Sequence, residues 1–254
     1  MKRVAYALAP VAGVLTFLGL WQVLVMAFDV PRYQLVAPWH VVQHLADDPT
    51  FYLEATWVTA REAILGFAIA ALAAVALASV AALLPFFERA ANPVVVLLQV
   101  TPVIAYTPAV VIWLGGGLKP ILVVTALVCF VPFYFNGVIG LRSVDPASLE
   151  LLHSVDARRR EIYWRLRLPH ALPYLLSAAR IAVGLALVGA VLGEYFALVS
   201  EGLGVALKKA QAQSDYDQLW GAIFSLALLG SVMTLLLGLL ERRLLRWHSS
   251  QSTR

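Results

Sequence analysis

Two imidazoles and two carboxylates meet at one point of the chain, His40 and His44 with Asp47 and Asp48. Histidines spaced i,i+4 share a helix face and can hold a metal ion, but the glutamate base of a zinc-protease helix is missing. The plainer reading is an interfacial helix opened by Pro38, burying Val41, Val42 and Leu45 and resting Trp39 at the headgroup level. Three other features could do work: Glu194 within an apolar run, the arginine-rich stretch ARRREIYWRLRLP at 157–169, and the pairs Thr101-Pro102 and Thr107-Pro108. No phosphate-binding G-x-x-x-x-G-K-[ST] loop occurs, and Gly115-Gly116-Gly117 before Leu118-Lys119-Pro120 reads as a turn. The single Cys129 excludes an intramolecular disulfide.

The elements that must position these groups follow from composition. A chain of 254 residues that is 61% hydrophobic and 13% charged, with mean hydropathy +0.81, is too apolar for a water-soluble domain. Apolar runs of about 20 residues cross the ~30 Å hydrocarbon core as helices. Six such spans are expected, at 4–28, 59–84, 94–114, 119–140, 171–199 and 219–240. The first is too long for a signal peptide and reads as a retained anchor. Lys2, Arg3, Arg89, Arg142, Arg158, Arg159, Arg160, Arg165, Arg167, Arg242, Arg243, Arg246 and Arg254 fall on the amino-terminal side, and only Arg32, Lys119, Lys208 and Lys209 fall opposite. The excess of basic residues marks the cytoplasmic face, so both termini and the arginine run are expected there. The net charge of +4 then needs no nucleic acid to explain it.

Small residues recur every fourth position at Gly66, Ala70, Ala74, Ala78 and Ala82, and again at Ala178, Ala182, Ala186 and Ala190, a row whose next member is Glu194. Such rows let helices approach closely. Glu194 therefore sits on a protein-facing stripe, about 21 Å beyond Arg180 at ~1.5 Å per residue. Two readings stay open for it: an acid lining an aqueous path, or a hydrated acid at the interface. Each Thr-Pro pair should bend or interrupt the third span. Gln99, Tyr106 and Trp113 recur every seven residues, and Thr125, Cys129, Pro132 and Asn136 follow i, i+4, i+7, i+11, so each set is expected to share a face. Gln99, Thr101, Tyr106, Trp113, Thr125, Asn136 and Glu194 are the candidate pathway residues, against the alternative of ordinary packing and aromatic-belt positions. Those faces carry no Lys or Arg, which favours a neutral or planar solute over a small anion.

Between the fourth and fifth spans the chain is patterned beyond what topology requires. Pro146 can open a helix with Leu149, Leu152 and Val155 on its apolar side and Glu150 in its amino-terminal half. Asp156 can cap a second helix starting at Ala157, aligning Ile162, Tyr163 and Leu166 until Pro169. This amphipathic pair outside the membrane offers an apolar tip for a partner's groove and a basic face for lipid phosphate or an acidic protein surface.

The segment from Glu150 to Pro169 resembles the EAA loop of permease subunits of bacterial ABC importers. Glu150 matches the acid, Leu151-Leu152 stand for the two alanines, Asp156 for the glycine, and Leu166-Arg167-Leu168-Pro169 for the I-x-L-P ending. The likeness extends through GLRSVDP before the loop and HALPYLLSAARIAVGLALVGAVLGEYF and EGLG after it, from about Thr56 to Glu241. It is similar to the nitrate, sulfonate and taurine branch, above all to permeases for pyrimidine precursors of thiamine and for riboflavin.

The resemblance implies an all-α integral membrane protein with the type I importer fold. It implies a permease dimer, two cytoplasmic ATPase subunits that carry ATP and Mg, and an extracytoplasmic substrate-binding protein. Leu152 to Ala157 would be the coupling helix, so Glu150, Leu151, Leu152, Val155, Asp156, Ala157, Leu168 and Pro169 are the candidate coupling residues. The expected organisation is a first span at 1–28, an outer loop with the interfacial helix at 29–58, a permease core at 59–241 with the loop at 142–170, and a basic tail at 242–254. The chain would bind no cofactor or metal and catalyse no reaction itself. A secondary transporter or channel without an ATPase, or a membrane-embedded enzyme using Glu194 and the histidines, are the alternatives.

Overall fold

The computed structural model describes residues 2–245, so Met1 and residues 246–254 of the expected basic tail lie outside the described residues. The described chain is helical: α1 Lys2–Ala27, α2 Pro38–Asp47, α3 Pro49–Leu83, α4 Pro85–Val100, α5 Val103–Leu114, α6 Leu118–Arg142, α7 Pro146–Ser154, α8 Arg159–Ile162, a π turn at Tyr163–Arg167, α9 Leu168–Phe196, α10 Leu203–Gln213 and α11 Tyr216–Leu244. Among the described residues, α3, α6, α11 and the rod Arg159–Phe196 are each long and apolar enough to cross a membrane. The α4–α5 pair meets the same test together, and α1 is apolar over Val11–Ala27.

The core forms where α3, α6 and α9 meet, and the small-residue rows explain why. Gly66, Ala70, Ala74 and Ala78 are buried on α3, and Ala178, Ala182, Ala186 and Ala190 on α9; Ala82 is only half-buried and Ala81 takes the deep position. Small side chains bring the backbones together, so α6 is gripped from both sides. Gly66 and Gly189 both press on Thr125, and a methyl group at Gly189 would fall 2.6 Å from the Thr125 Cα. Arg180, an arginine within an apolar run, is explained by its partner: its guanidinium holds Glu241 of α11 at 2.6 Å.

Four boundaries differ from expectation. The second span begins at Pro49, ten residues early, because the Asp48 carboxylate accepts the Phe51 N–H at 3.1 Å and Pro49 supplies the preset first turn. The outer loop therefore ends at 48. The third span is helical from Pro85 rather than 94, and it breaks at Thr101-Pro102 with a bend of 104°. Only that Thr-Pro pair interrupts it. Pro108 sits inside α5, where the Thr107 hydroxyl bonds the Val103 carbonyl at 2.7 Å and the helix continues past the missing donor.

The arginine helix does not stop at Pro169. It passes through the π turn, where the Leu168 N–H reaches back five residues to the Tyr163 carbonyl, and continues as α9 in one rod of 38 residues. The widened turn relieves the clash that a proline ring makes with the carbonyl four residues before it. In α2 the interfacial helix forms as expected, with Val41 buried. Val42, expected inside, is 50% exposed, since a one-residue step on a helix turns it about a quarter of the way round from Val41. The helix α10, between the last two long helices, has no counterpart among the expected elements.

Candidate functional site

The loop between α6 and α9 is anchored at both ends and free in the middle. Arg142, closing α6, pairs with Glu88 at 2.6 Å and donates to the Ala81 carbonyl at 2.9 Å. Arg167 donates to the Leu141 carbonyl at 3.4 Å, the Tyr163 hydroxyl meets Ser79 Oγ at 2.6 Å, and Ile162 is buried. These contacts fix the loop's roots to α3, α4 and α6. Between them α7 buries none of its residues. Leu151 and Val155 are 66% and 67% exposed, Glu150 is exposed, and Leu152, Ala157, Leu168 and Pro169 are half-buried.

The turn at the tip corrects the expected role of Asp156. Asp156 is not an N-cap: α8 is entered from Arg158, whose N–H is accepted by Glu161 Oε2 at 3.0 Å. Instead Asp156 lies in the left-handed region, with φ of 52°. Its N–H bonds the His153 carbonyl and the Ala157 N–H bonds the Leu152 carbonyl, each at 3.0 Å. That pair of bonds is the Schellman ending of α7, a motif whose central residue must take positive φ. Glycine takes it freely, and aspartate is among the few other residues that visit it. The resemblance put glycine at this position, and the geometry supplies the reason.

The candidate pathway residues are not gathered on one surface. The bend at Thr101-Pro102 separates Gln99 on α4 from Tyr106 and Trp113 on α5, so their spacing of seven does not give a common face. Gln99, Thr101 and Trp113 are exposed, and Tyr106 is half-buried. On α6, Thr125 and Cys129 face inward: the Thr125 hydroxyl bonds the Ile121 carbonyl at 2.8 Å, and the Cys129 thiol meets the Ala182 carbonyl at 3.4 Å. Asn136 is half-buried, its amide donating to the Pro132 carbonyl at 2.9 Å. His40 contacts Gln43 at 3.3 Å and His44 packs edge-on against Tyr52. Among the described residues no group of three or more His, Cys, Asp or Glu side chains gathers to hold a metal.

Glu194 is the candidate that the fold treats most distinctly. It is fully buried within the chain. Its Oε2 accepts the Gly204 N–H at 2.6 Å as α10 begins. Beside it lie two groups that sequence reasoning passed over. Thr59 is fully buried, accepting the Leu203 N–H at 2.9 Å and donating to the Ala55 carbonyl at 3.1 Å. Glu62 is 4% exposed. The signal for Glu62 was present, since extending the Gly66 row one step back reaches it, just as one step beyond Ala190 reaches Glu194. Both rows end in an acid at the same end of the bundle. Gly202 and Gly204 complete the arrangement, because a Cβ on either would collide with the Glu194 carboxyl.

Comparison with known proteins identifies the family. Residues 66–246 match the family model described as the binding-protein-dependent transport system inner membrane component. The formylaminopyrimidine transport permease protein ThiX of Halalkalibacterium halodurans is 33% identical over 257 residues, covering 99% of this chain and 100% of the relative. The riboflavin transport system permease protein RibX of Chloroflexus aurantiacus is 35% identical over 165 residues, 65% of this chain and 61% of its own length. The taurine transport system permease protein TauC of Escherichia coli is 31% identical over 157 residues, 62% and 57% of the two chains. A family model covering most of the chain and a relative aligned from end to end lead to one conclusion: this chain belongs to the inner-membrane components of binding-protein-dependent transport systems, as an ABC importer permease of the sulfonate and taurine branch.

Proposed function

We propose that this permease carries a small solute inward by alternating access, taking it from an extracytoplasmic binding protein and drawing energy from ATP hydrolysed on partner subunits. In this reading α1, α3, the α4–α5 pair, α6, α9 and α11 make six spans with both termini in the cytoplasm. Two copies of the chain form the pathway, and each receives one ATPase subunit against α7. The observation that carries the reading is the tip of that loop: Leu151 and Val155 stand exposed on an element with no buried residue, at the end of the bundle where the arginines collect. Apolar side chains held out on a rigid, charged end of a protein suit a partner's groove. Leu152, Asp156 and Ala157 shape the tip, Glu150 flanks it, and Leu168 and Pro169 return the chain to the membrane.

For the solute, the end-to-end likeness to a formylaminopyrimidine permease and the uncharged aromatic candidates Tyr106 and Trp113 favour a neutral, planar heterocycle of the vitamin-precursor class. The test is uptake into proteoliposomes holding the permease and its cognate ATPase, with loaded binding protein outside and nucleotide inside. Uptake should need ATP, the ATPase and the binding protein together. Uptake by the permease alone would overturn the reading.

A further inference from the structure

We propose that Glu62 and Glu194 form a binding site for one proton, and that the bound proton latches α10 onto the outer ends of α3 and α9. The inference goes beyond the transport reading and holds whatever the solute is. It begins with an imbalance. Both carboxyls are more than nine-tenths buried, at 4% and 0% exposure, yet Glu62 Oε2 and Glu194 Oε1 meet no donor. Thr59 and Glu194 accept the neighbouring amides of Leu203 and Gly204, and Glu62 stands on α3 one turn from Thr59, which brings the two carboxyl groups to the same buried place. Two ionised carboxylates offer only acceptors and repel, whereas a single proton between them turns the contact into a short O–H···O bond and satisfies the stranded oxygens.

The surroundings assign the remaining charge. Glu194 takes the Gly204 N–H at 2.6 Å in the first turn of α10, where the helix's own amides favour one negative charge. Glu62 has no such amide, so the proton resides on Glu62 and is donated to Glu194. Thr59 does not supply it, because its hydroxyl proton goes to the Ala55 carbonyl. Through Glu194 and Thr59 the amides of Gly204 and Leu203 are tied to α9 and α3 respectively. Loss of the proton would leave two buried negative charges facing each other, and the element with least to hold it is the short α10.

The proton has a route. Glu62 lines an open cavity with Val58, Arg61, Leu118, Ser200 and Glu201. The charged groups around the pair are Arg61 on α3, Glu201 in the turn before α10, Lys119 at the start of α6, and Lys208 and Lys209 on α10. Lys208 lies over the Tyr195 ring at 5.8 Å and Lys209 bonds the Ser200 carbonyl at 3.2 Å. On α11, Asp215 caps its own helix and Asp217 pairs with Arg32 at 3.5 Å.

Hydrogen–deuterium exchange of the full-length permease in lipid nanodiscs, followed by mass spectrometry from pH 5 to 9 and corrected for intrinsic exchange, reads the latch directly. Protection of the amides at 203–206 should fall at least tenfold between pH 6 and pH 9, while α6 amides hold constant. Glu62→Gln and Glu194→Gln each keep a donor in place of the proton, so both should stay protected and flat across the range. Glu201→Gln should retain the wild-type fall. The proposal is overturned by a flat wild-type profile, by either glutamine variant following the wild-type curve, or by loss of the fall in Glu201→Gln, which would give the proton to Glu201. Because the readout needs neither ATP nor solute, its failure is distinct from a failure of ATP-dependent uptake.

Discussion

Both ends of the helix bundle use a residue with positive φ to place a short helix, and they put that helix to opposite use. At the end away from the arginine loop Gly202, with φ of 117°, turns the chain into α10, and the first turns of α10 are met from within: Leu203 and Gly204 by side chains of α3 and α9, Val205, Ala206 and Ala210 by burial. At the end with the arginine loop Asp156, with φ of 52°, ends α7, and among the described residues nothing fully buries any residue of that helix. Its backbone is satisfied by the Schellman bonds, and its apolar side chains are not buried. On the proposed readings, the unfinished surface is where a partner docks and the finished surface holding an unpaired acid is where the protein itself changes state.

Substitutions at three positions sharpen the contrast. Val155→Glu should have the largest effect. A charge forced into an apolar groove is desolvated without a partner, so ATPase binding by detergent-solubilised permease, measured by co-purification, should weaken at least tenfold, or about 1.4 kcal/mol. The melting temperature of the permease alone should not move, because the site is 67% exposed. Retained ATPase binding would remove α7 from the coupling role.

Gly204→Ala reverses the pattern. Its methyl group would strike the Val191 carbonyl and the Glu194 side chain, and overpacking of this kind costs roughly 1–3 kcal/mol. Thermal unfolding in detergent should come several degrees earlier, with ATPase binding intact. A neutral result would mean that the outer end is not finished in the way described.

The smallest effect belongs to Asp156. Asp156→Gly should steady the loop by a few tenths to about 1 kcal/mol, since glycine has no Cβ to oppose positive φ. Asp156→Ala should loosen it by up to about 1 kcal/mol. Trypsin cleavage at Arg158 to Arg160 in the isolated permease should slow a few-fold in the first and quicken in the second. Faster cleavage in both variants would restore the capping role that the sequence suggested for Asp156, since either substitution removes the carboxylate.

Much was legible without coordinates. The long apolar helices follow from hydropathy, because lipid leaves the backbone few alternatives to a helix. The rows at 66–82 and 178–190 pointed to the tightest contacts, because close approach needs small side chains wherever it occurs. The break at Thr101-Pro102 was foreseen, since a missing donor is a local fact. Pro108 and Pro169 show the limit: α5 runs on past one proline and a π turn carries the helix past the other, and whether a proline breaks a helix depends on what packs alongside.

What the sequence determined by itself about this chain is what repeats or acts locally: its helices, their sticky stripes, the arginine-rich end and the helix pair that interrupts it. The tertiary structure decided the relations between distant residues. Gln99 and Tyr106 part company because one bend of 104° separates them. Glu62 and Glu194 come to the same end of the bundle because α3 and α9 run antiparallel and both lay their small residues against α6, and no spacing along one chain encodes which acid will end beside which.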